Sequence, residues 1–148
     1  DNVGYVLRFV DSHTTKTKYK YVAGTRITDS FWGYNDLDID SYPYVVLVEG
    51  ALDAIYLRQI GVKNSLGLMH NDLSGSQKQL LTNLGNSAKI YLMLDNDFGG
   101  NQGTNKIREK LRDSFIVRTV YLPENLDPND CSSEQIIEAV KQCQKGVI

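Results

Sequence analysis

The sequence has little of what marks disulfide-rich, disordered or membrane-spanning proteins. Its two cysteines, Cys131 and Cys143, lie twelve residues apart and away from both histidines, which argues against a disulfide framework or a zinc site. Only three prolines occur, without repeats or low-complexity tracts, so disorder is not expected. No apolar run approaches the roughly 20 residues that cross a bilayer, and no signal pattern is visible. We therefore expect a cytoplasmic protein with no membrane partner.

The charge balance shows no basic excess that would by itself predict nucleic-acid binding. Sixteen Lys and Arg residues face eighteen Asp and Glu residues, for a net charge of −2. The basic residues are nevertheless grouped, which fits a phosphate track beside a metal site and fits solvated faces of ordinary surface elements equally well. They occur early in the chain (Lys16, Lys18, Lys20, Arg26) and later along one predicted helix (Lys106, Arg108, Lys110, Arg112).

Short apolar runs alternate with amphipathic segments from residue 44 onward. Apolar runs predict strands at 44–48, 65–69, 90–94 and 115–122, and the β-branched residues of 44–48 are typical of a strand buried on both faces. Helices are predicted at 51–60, at 75–84 after a Ser-x-x-Gln capping box, at 105–112, and after the capping box at 132–135. This order predicts an α/β fold, with a parallel sheet of about four strands flanked by helices.

The first 42 residues follow a different pattern. Runs at 5–10 and 19–22 predict antiparallel strands, and Phe31-Trp32-Gly33-Tyr34 predicts an aromatic turn. We therefore expect a small β-rich segment at 1–42 and an α/β domain at 43–148. Because the chain begins with Asp1, we also expect it to derive from a longer protein. The isolated histidines, His13 and His70, are expected in loops or at the surface.

Acidic residues follow three of the predicted strands. Glu49 ends the first strand, Asp95 and Asp97 follow the third, and Asp127 follows the fourth. Because the carboxyl ends of parallel strands share one edge of a sheet, these groups should converge. Converging carboxylates repel one another unless a cation neutralises them, and oxygen ligands favour Mg²⁺ or Mn²⁺. Each feature alone is weak evidence, since strand-end acids are often helix caps, but together they predict a metal site.

These motifs, in this order and spacing, resemble the TOPRIM domain of bacterial-type DNA primases and phage primase-helicases. The resemblance spans about residues 44 to 140, nearly all of the α/β part. The flanking residues from Gly4 to Tyr34 resemble the end of the subdomain that precedes TOPRIM in primases. The matching motifs are Val48-Glu49-Gly50 with Asp53, Leu66-Gly67, Asp95-Asn96-Asp97 with Gly100, and Leu122-Pro123 ahead of Asp127-Pro128.

The resemblance implies an enzyme that synthesises RNA primers in replication. Its template would be single-stranded DNA, its substrates ribonucleoside triphosphates, and a replicative helicase a further partner. Asp95 and Asp97 would hold one or two Mg²⁺ or Mn²⁺ ions on the incoming triphosphate. Glu49 would act as general acid or base, or as a further metal ligand, while Asp53 and Asp127 would support the metals.

Two departures from the primase pattern qualify this expectation. Where primases have a second acid two residues after Asp127, this chain has Asn129, followed by Asp130. Either residue can complete the third acidic cluster. The zinc-binding module and most of the basic template-binding subdomain of primases are also absent from the sequence, so we expect that this stretch alone does not prime DNA.

Other functions use similar residues. A TOPRIM nuclease of the OLD or RNA-maturase type cleaves with the same acids, and a non-catalytic TOPRIM module would bind nucleic acid or a partner. A topoisomerase also requires a catalytic tyrosine in a separate domain. A receiver-like signalling module usually has paired acids after the first strand, where only Glu49 occurs here. Metal binding, primer synthesis and nicking assays separate these alternatives.

Overall fold

A four-stranded parallel sheet lies at the centre of the chain, as the sequence predicts. The computed structural model describes residues 6–8, 19–85, 88–124 and 126–146. In chain order its strands and α-helices are β1 (Val6–Arg8), β2 (Tyr19–Tyr21), β3 (Tyr44–Val48), α1 (Ala51–Gln59), β4 (Ser65–Gly67), α2 (Gly75–Asn83), β5 (Lys89–Leu92), α3 (Phe98–Leu111), β6 (Val117–Thr119) and α4 (Ser133–Lys145). Short 3-10 helices lie at Ile27–Asp29, Tyr34–Asp36 and Pro128–Asp130.

Helices cover both faces of this sheet. Alternate side chains of the strands point to opposite faces, so each strand contributes to two separate cores. Val46, Val48 and Tyr91 pack with Leu57 of α1 and Ile136 of α4. On the other face, side chains of the same strands pack with α2 and α3, through Val45, Leu47, Ile90, Leu92, Leu81, Ile107 and Leu111. Burial on both faces explains why β3, and β5 after Lys89, are continuously apolar in sequence.

The strand order β4-β3-β5-β6 determines which strand ends lie next to each other. All three pairings are parallel, and β3 pairs with both β4 and β5. The chain proceeds outward from β3 to β4, then crosses back to β5 and proceeds outward to β6. The carboxyl ends of β3 and β5 therefore lie side by side where the direction of winding reverses, which is where open α/β sheets bind ligands.

The strand β6 is shorter than the predicted run at 115–122. In the part of the chain that the structure describes, it pairs with β5 alone, at residues 117–119. Phe115 and Leu122, at either end of the predicted run, are still buried. Their burial explains why an apolar pattern extends beyond the residues that share ladder hydrogen bonds.

The helix α3 begins seven residues before its predicted start at 105. Asp97 caps it, with Oδ1 accepting a hydrogen bond from the Gly100 backbone N–H at 2.8 Å. The first turns contain Gly99, Gly100 and Gly103. Glycine lowers helix propensity, so the sequence pattern did not predict a helix over these residues. Two of these glycines allow close backbone approach: a Cβ at Gly100 would overlap the Asp95 carbonyl oxygen, and one at Gly103 would lie 2.6 Å from the Asn71 carbonyl oxygen.

Gly100→Ala is expected to lower the free energy of unfolding by about 1–3 kcal/mol, because the backbone must shift to relieve the overlap. The matched control is Gly99→Ala, whose Cβ would meet only Asp97 Oδ1 at 3.4 Å. The control should be neutral or slightly stabilising, since Ala favours a helix over Gly. Urea unfolding followed by circular dichroism measures both variants. Equal stabilities would contradict the close approach described for Gly100.

The N-terminal part forms a small antiparallel sheet, as predicted, with β1 paired to β2 in the register Leu7 opposite Lys20. The rest of the predicted strand at 5–10 lies outside the described residues, as do Lys16 and Lys18. The aromatic turn packs on the α/β part: Phe31 is buried in its core, and Trp32 forms an antiparallel bridge with Gly67. The division at residue 42 stays a prediction.

Arg58 of α1 fastens this N-terminal part to β4. Its guanidinium donates to the carbonyl oxygens of Gly33 and Ser65 and pairs with Asp36 at 2.7 Å. It also lies 5.1 Å from the centre of the Trp32 ring, a cation–π arrangement. The segment before β3 is thus held against the edge strand of the sheet.

Candidate active site

A cleft of about 570 Å³ opens at the carboxyl edge of the sheet. Four of the five predicted site residues line it: Glu49 after β3, Asp53 in α1, Asp95 after β5 and Asp127 after β6. Asn129 and Asp130 lie on the same side. The remaining lining includes Arg8, Tyr21, Met69 and His70. Sequence positions that are far apart are thus brought to one place, as the parallel sheet requires.

Glu49 has a strongly raised pKa in the cleft. Its pKa is raised from an ordinary 4.5 to about 7. Burial is the largest cause of this shift, and the charges of Asp95 and Asp97 add to it. The Asp95 backbone N–H, which donates to the carboxylate, acts in the opposite direction. Its Oε1 is buried and has no hydrogen-bond partner within the described part of the chain. Such an oxygen is costly to leave unsatisfied, unless a ligand completes its contacts.

Asp95 and Asp97 flank this glutamate but differ in exposure. Asp95 is partly buried, with Oδ1 inaccessible to solvent. Asp97 is exposed and caps α3, and it is absent from the cleft lining among the residues described. It nevertheless lies close enough to raise the Glu49 pKa. The i, i+2 spacing therefore places one acid in the cleft and the other at the start of a helix.

Asp53 lies at the third position of α1 and is only 8% exposed. Its Oδ2 accepts a hydrogen bond from the Gly50 backbone N–H at 2.9 Å, and its Oδ1 accepts one from the Asn129 side-chain amide. Burial is the largest influence on its pKa, which is raised, with a further increase from Asp127 and an opposing effect of Arg8. Both oxygens are engaged by the protein, so Asp53 holds the loop that follows Glu49.

The third acidic segment is organised by Asp127. Its Oδ1 accepts hydrogen bonds from the backbone N–H groups of Asn129 and Asp130, at 2.9 and 3.1 Å, and so caps the short helix at Pro128–Asp130. The Asn129 side chain then reaches Asp53. Of the two residues left open by the sequence, Asn129 makes this contact, replacing a repulsion between acids with a hydrogen bond.

Asn96 joins two of the acidic loops. Its backbone N–H donates to the Leu126 carbonyl oxygen at 3.2 Å, and its side-chain amide donates to the Leu122 carbonyl oxygen at 2.7 Å. The residue between Asp95 and Asp97 therefore fixes their loop against the segment that leads to Asp127.

The arrangement of oxygens fits a hard divalent cation with few protein ligands. Within the described ranges, no three His, Cys, Asp or Glu side chains come together as a ligand group for one ion. Mg²⁺ is commonly held by one or two carboxylates together with waters and substrate phosphates. Glu49 and Asp95, with a buried glutamate oxygen that has no hydrogen-bond partner in the described part, suit that kind of site.

The basic residues predicted as a phosphate track are mostly engaged elsewhere. Lys110 pairs with Asp72 at 2.7 Å, Arg112 pairs with Glu109, and Arg108 donates to Thr119. These contacts favour the solvated-face interpretation for that part of α3. Arg8 also lines the cleft, and no pattern in the sequence pointed to it.

His70 is a cleft residue that sequence reasoning missed. It lies in a loop, as expected, but it is partly buried and its ring is bonded to Gln77. The only sequence signal near it was the capping box of α2, which the structure confirms: Ser74 Oγ accepts from the Gln77 N–H at 3.0 Å. A capping box does not reveal that Gln77 also contacts a histidine.

Comparison with known proteins gives a consistent result. The family model described as Toprim-like matches residues 46–132. The DNA primase of Staphylococcus aureus (strain COL) is 32% identical over 87 residues, which cover 58% of this chain and 14% of that primase.

Two solved structures share the fold. The Aquifex aeolicus primase, solved with its zinc-binding and RNA polymerase domains, has a TM-score of 0.76 at 22% identity, covering 95% of this chain and 36% of that one. A DnaG primase catalytic domain bound to single-stranded DNA has a TM-score of 0.69 at 17% identity, covering 94% and 47%. This chain therefore spans a small part of the curated primase and less than half of each solved chain.

Proposed function

The chain belongs to the Toprim-like family, and from that premise we propose that it supplies the catalytic carboxylates of a DNA primase. The reaction is nucleotidyl transfer: ribonucleoside triphosphates are joined into an RNA primer on a single-stranded DNA template. The single observation that carries the proposal is the shared cleft of Glu49 and Asp95, where the charge of Asp95 raises the pKa of Glu49 and so disfavours its ionisation. Similarity to a primase in sequence, and to primases in fold, supports the same reaction.

Glu49 is the group best suited to proton transfer. A general base works best when its pKa lies near the working pH, and that of Glu49 is about 7. It would accept the proton of the primer 3′-hydroxyl as that oxygen attacks the α-phosphorus. The carboxylate stays close to its working position because Asp53 holds the Gly50 backbone.

Asp95 and Asp97 would hold Mg²⁺ or Mn²⁺, with Glu49 as a further ligand when it is ionised. A bound ion would offset negative charge on the triphosphate and on the leaving pyrophosphate. Asp127 and Asp53 support the site through Asn129. This uncharged residue donates a hydrogen bond to each of them and so fixes their separation.

Single-stranded DNA as the template is supported by the solved primase domain that contains it. A replicative helicase as partner and a cytoplasmic location belong to the same proposal. The described helices include none that is both long and apolar enough to cross a membrane.

The proposal is tested in the complete native polypeptide that contains these residues. Incubation with a single-stranded DNA template, ribonucleoside triphosphates and Mg²⁺ or Mn²⁺ should give short RNA products, and Mn²⁺ titration should give saturable binding. Products that depend on template, nucleotides and metal support the proposal. Saturable metal binding with nicking of supercoiled plasmid and no RNA product would instead identify a nuclease, and absence of metal binding would contradict both.

A further inference from the structure

His70 lines the same cleft as the acids and follows Met69, whose backbone is hydrogen-bonded to that of Glu49. The Met69 backbone N–H donates to the Glu49 carbonyl oxygen at 2.8 Å, directly after β4. Met69 has a φ of 66°, a left-handed conformation that is costly for an unbranched residue with a side chain. Non-glycine residues in this conformation cluster at ligand sites, where the surrounding structure maintains the strain. Here the turn brings both Met69 and His70 to the cleft.

The protein fixes the tautomer of the His70 ring. The Asp72 backbone N–H can only donate, so Nδ1, at 3.3 Å, accepts and carries no proton. The proton is therefore on Nε2, which donates to Gln77 Oε1 at 3.1 Å. The amide orientation of Gln77 is itself fixed, because its Nε2 donates to the carbonyl oxygens of Ser30 and Leu68, at 2.8 and 3.0 Å.

The ring therefore offers the cleft no free nitrogen. With Nδ1 and Nε2 both bonded to the protein, this arrangement does not suit His70 to ligate a metal or to accept a substrate proton. With both nitrogens engaged, the part of the ring that can still contact a ligand is its planar carbon surface. Gln77 is fully buried, so the ring is held by a partner that cannot easily move. A planar ring fixed in this way suits stacking on another flat group.

We infer that Tyr21, Met69 and His70 form a base wall, which contacts the nucleobase of a nucleoside triphosphate whose phosphates lie at Glu49 and Asp95. Tyr21 is joined to this wall by a hydrogen bond from its hydroxyl to the Met69 carbonyl oxygen at 3.4 Å. Aromatic and thioether side chains contact any nucleobase without reading its hydrogen-bond pattern. The cleft volume of about 570 Å³ lies in the usual range for small-molecule sites. The inference rests on the proposed function for the position of the phosphates.

The test compares ATP with inorganic triphosphate, which lacks a base, by calorimetry in the presence of Mg²⁺. His70→Ala should weaken ATP binding about 10-fold, as expected for the loss of one stacking contact, and leave triphosphate binding unchanged. His70→Phe keeps the planar ring and loses both ring hydrogen bonds, so it should bind ATP within about 3-fold of the native chain. If His70 only braces the loop, Phe should be as damaging as Ala, and both variants should weaken triphosphate binding as well.

A measurement on the native chain covers the case in which a variant does not fold. In the complete native polypeptide, the Cε1–H resonance of His70 is assigned through its contact with Gln77. ATP should shift this resonance through the ring current of the base, and triphosphate should shift it much less. An unchanged His70 resonance at saturating ATP would overturn the base wall while leaving the proposed function standing. If neither ATP nor triphosphate binds with Mg²⁺, both the base wall and the proposed function fail.

Discussion

Asp95→Asn should reduce metal-dependent primer synthesis by about 10²–10³-fold, the usual effect of removing one group that stabilises charge in a transition state. Asn keeps the size of the side chain, whereas the negative charge beside Glu49 is lost. Mn²⁺ affinity should fall in parallel, because a carboxylate oxygen is replaced by a weaker amide ligand. The measurements are RNA product formation in the complete native polypeptide and Mn²⁺ titration of the same sample.

The stability of this variant separates lost chemistry from lost folding. Without divalent ions, Asp95→Asn should be as stable as the native chain or more stable, since repulsion on Glu49 is relieved. The matched control is Asp113→Asn, whose side chain is 90% exposed near the end of α3 and should affect neither activity nor metal affinity. An Asp95→Asn protein that is folded, binds Mn²⁺ normally and retains activity within about 3-fold would rule out a metal role for Asp95.

Glu49→Gln should abolish most activity and should also change how stability depends on pH. The folded pKa of Glu49 is about 7, above its ordinary 4.5, so the folded chain holds this proton more tightly than the unfolded chain does. Protonated Glu49 therefore favours folding below about pH 4.5, and this contribution is lost as the pH rises toward 7. After discounting for solvent screening, the loss between pH 5 and pH 8 is about 1–2 kcal/mol.

The comparison of variant and native chain isolates this one group. Asp38, Asp72 and Glu134 have lowered pKa values, so they gain stability with rising pH, in the opposite sense. They are present in both proteins and cancel in the difference. In EDTA, Glu49→Gln should be about 1–2 kcal/mol more stable than the native chain at pH 8, with little difference at pH 4.5.

Mg²⁺ should reduce the stability difference between Glu49→Gln and the native chain at pH 8. A bound ion stabilises the native chain, and the variant binds the ion more weakly. Glu138→Gln is the matched control, since Glu138 is exposed on α4 and contacts Gln142 there. For each protein, urea unfolding at pH 4.5 and pH 8, with EDTA and with Mg²⁺, gives the free energy of unfolding under four conditions. A difference between Glu49→Gln and the native chain that does not vary with pH would contradict a raised pKa of Glu49 in the folded chain.

The sheet could be predicted from the sequence because its strands are buried on both faces. Positions buried on both faces must be apolar, and that local signal marks β3 and the residues of β5 after Lys89. The start of α3 could not be predicted, because Gly100 and Gly103 lower its helix propensity locally. Those glycines are required by contacts with Asp95 and Asn71, which are distant in the sequence.

The acids of the site could be predicted from the sequence, whereas the base wall depends on contacts between residues that are distant in the sequence. Strand-end acids could be located because a parallel sheet brings strand ends together, whatever the loops contain. The exact hydrogen-bond partners of Asp53 could not, since Asn129 reaches it from 76 residues away. The fixed ring of His70 depends on Gln77, which is oriented in turn by Ser30, 47 residues before it. Side-chain networks of this kind leave no periodic trace in a sequence.

The hydrogen bonds of Asn96 affect the thermodynamics of loading the site. They hold the loop of Asp95 against the segment before Asp127, so the positions of two acidic loops are coupled by contacts within the protein. The conformational entropy of these loops is then lost when the chain folds, so ordering them does not oppose the binding of a ligand. A cation with its nucleotide meets a site already assembled, and affinity is limited by dehydration of the ion more than by rearrangement of the protein.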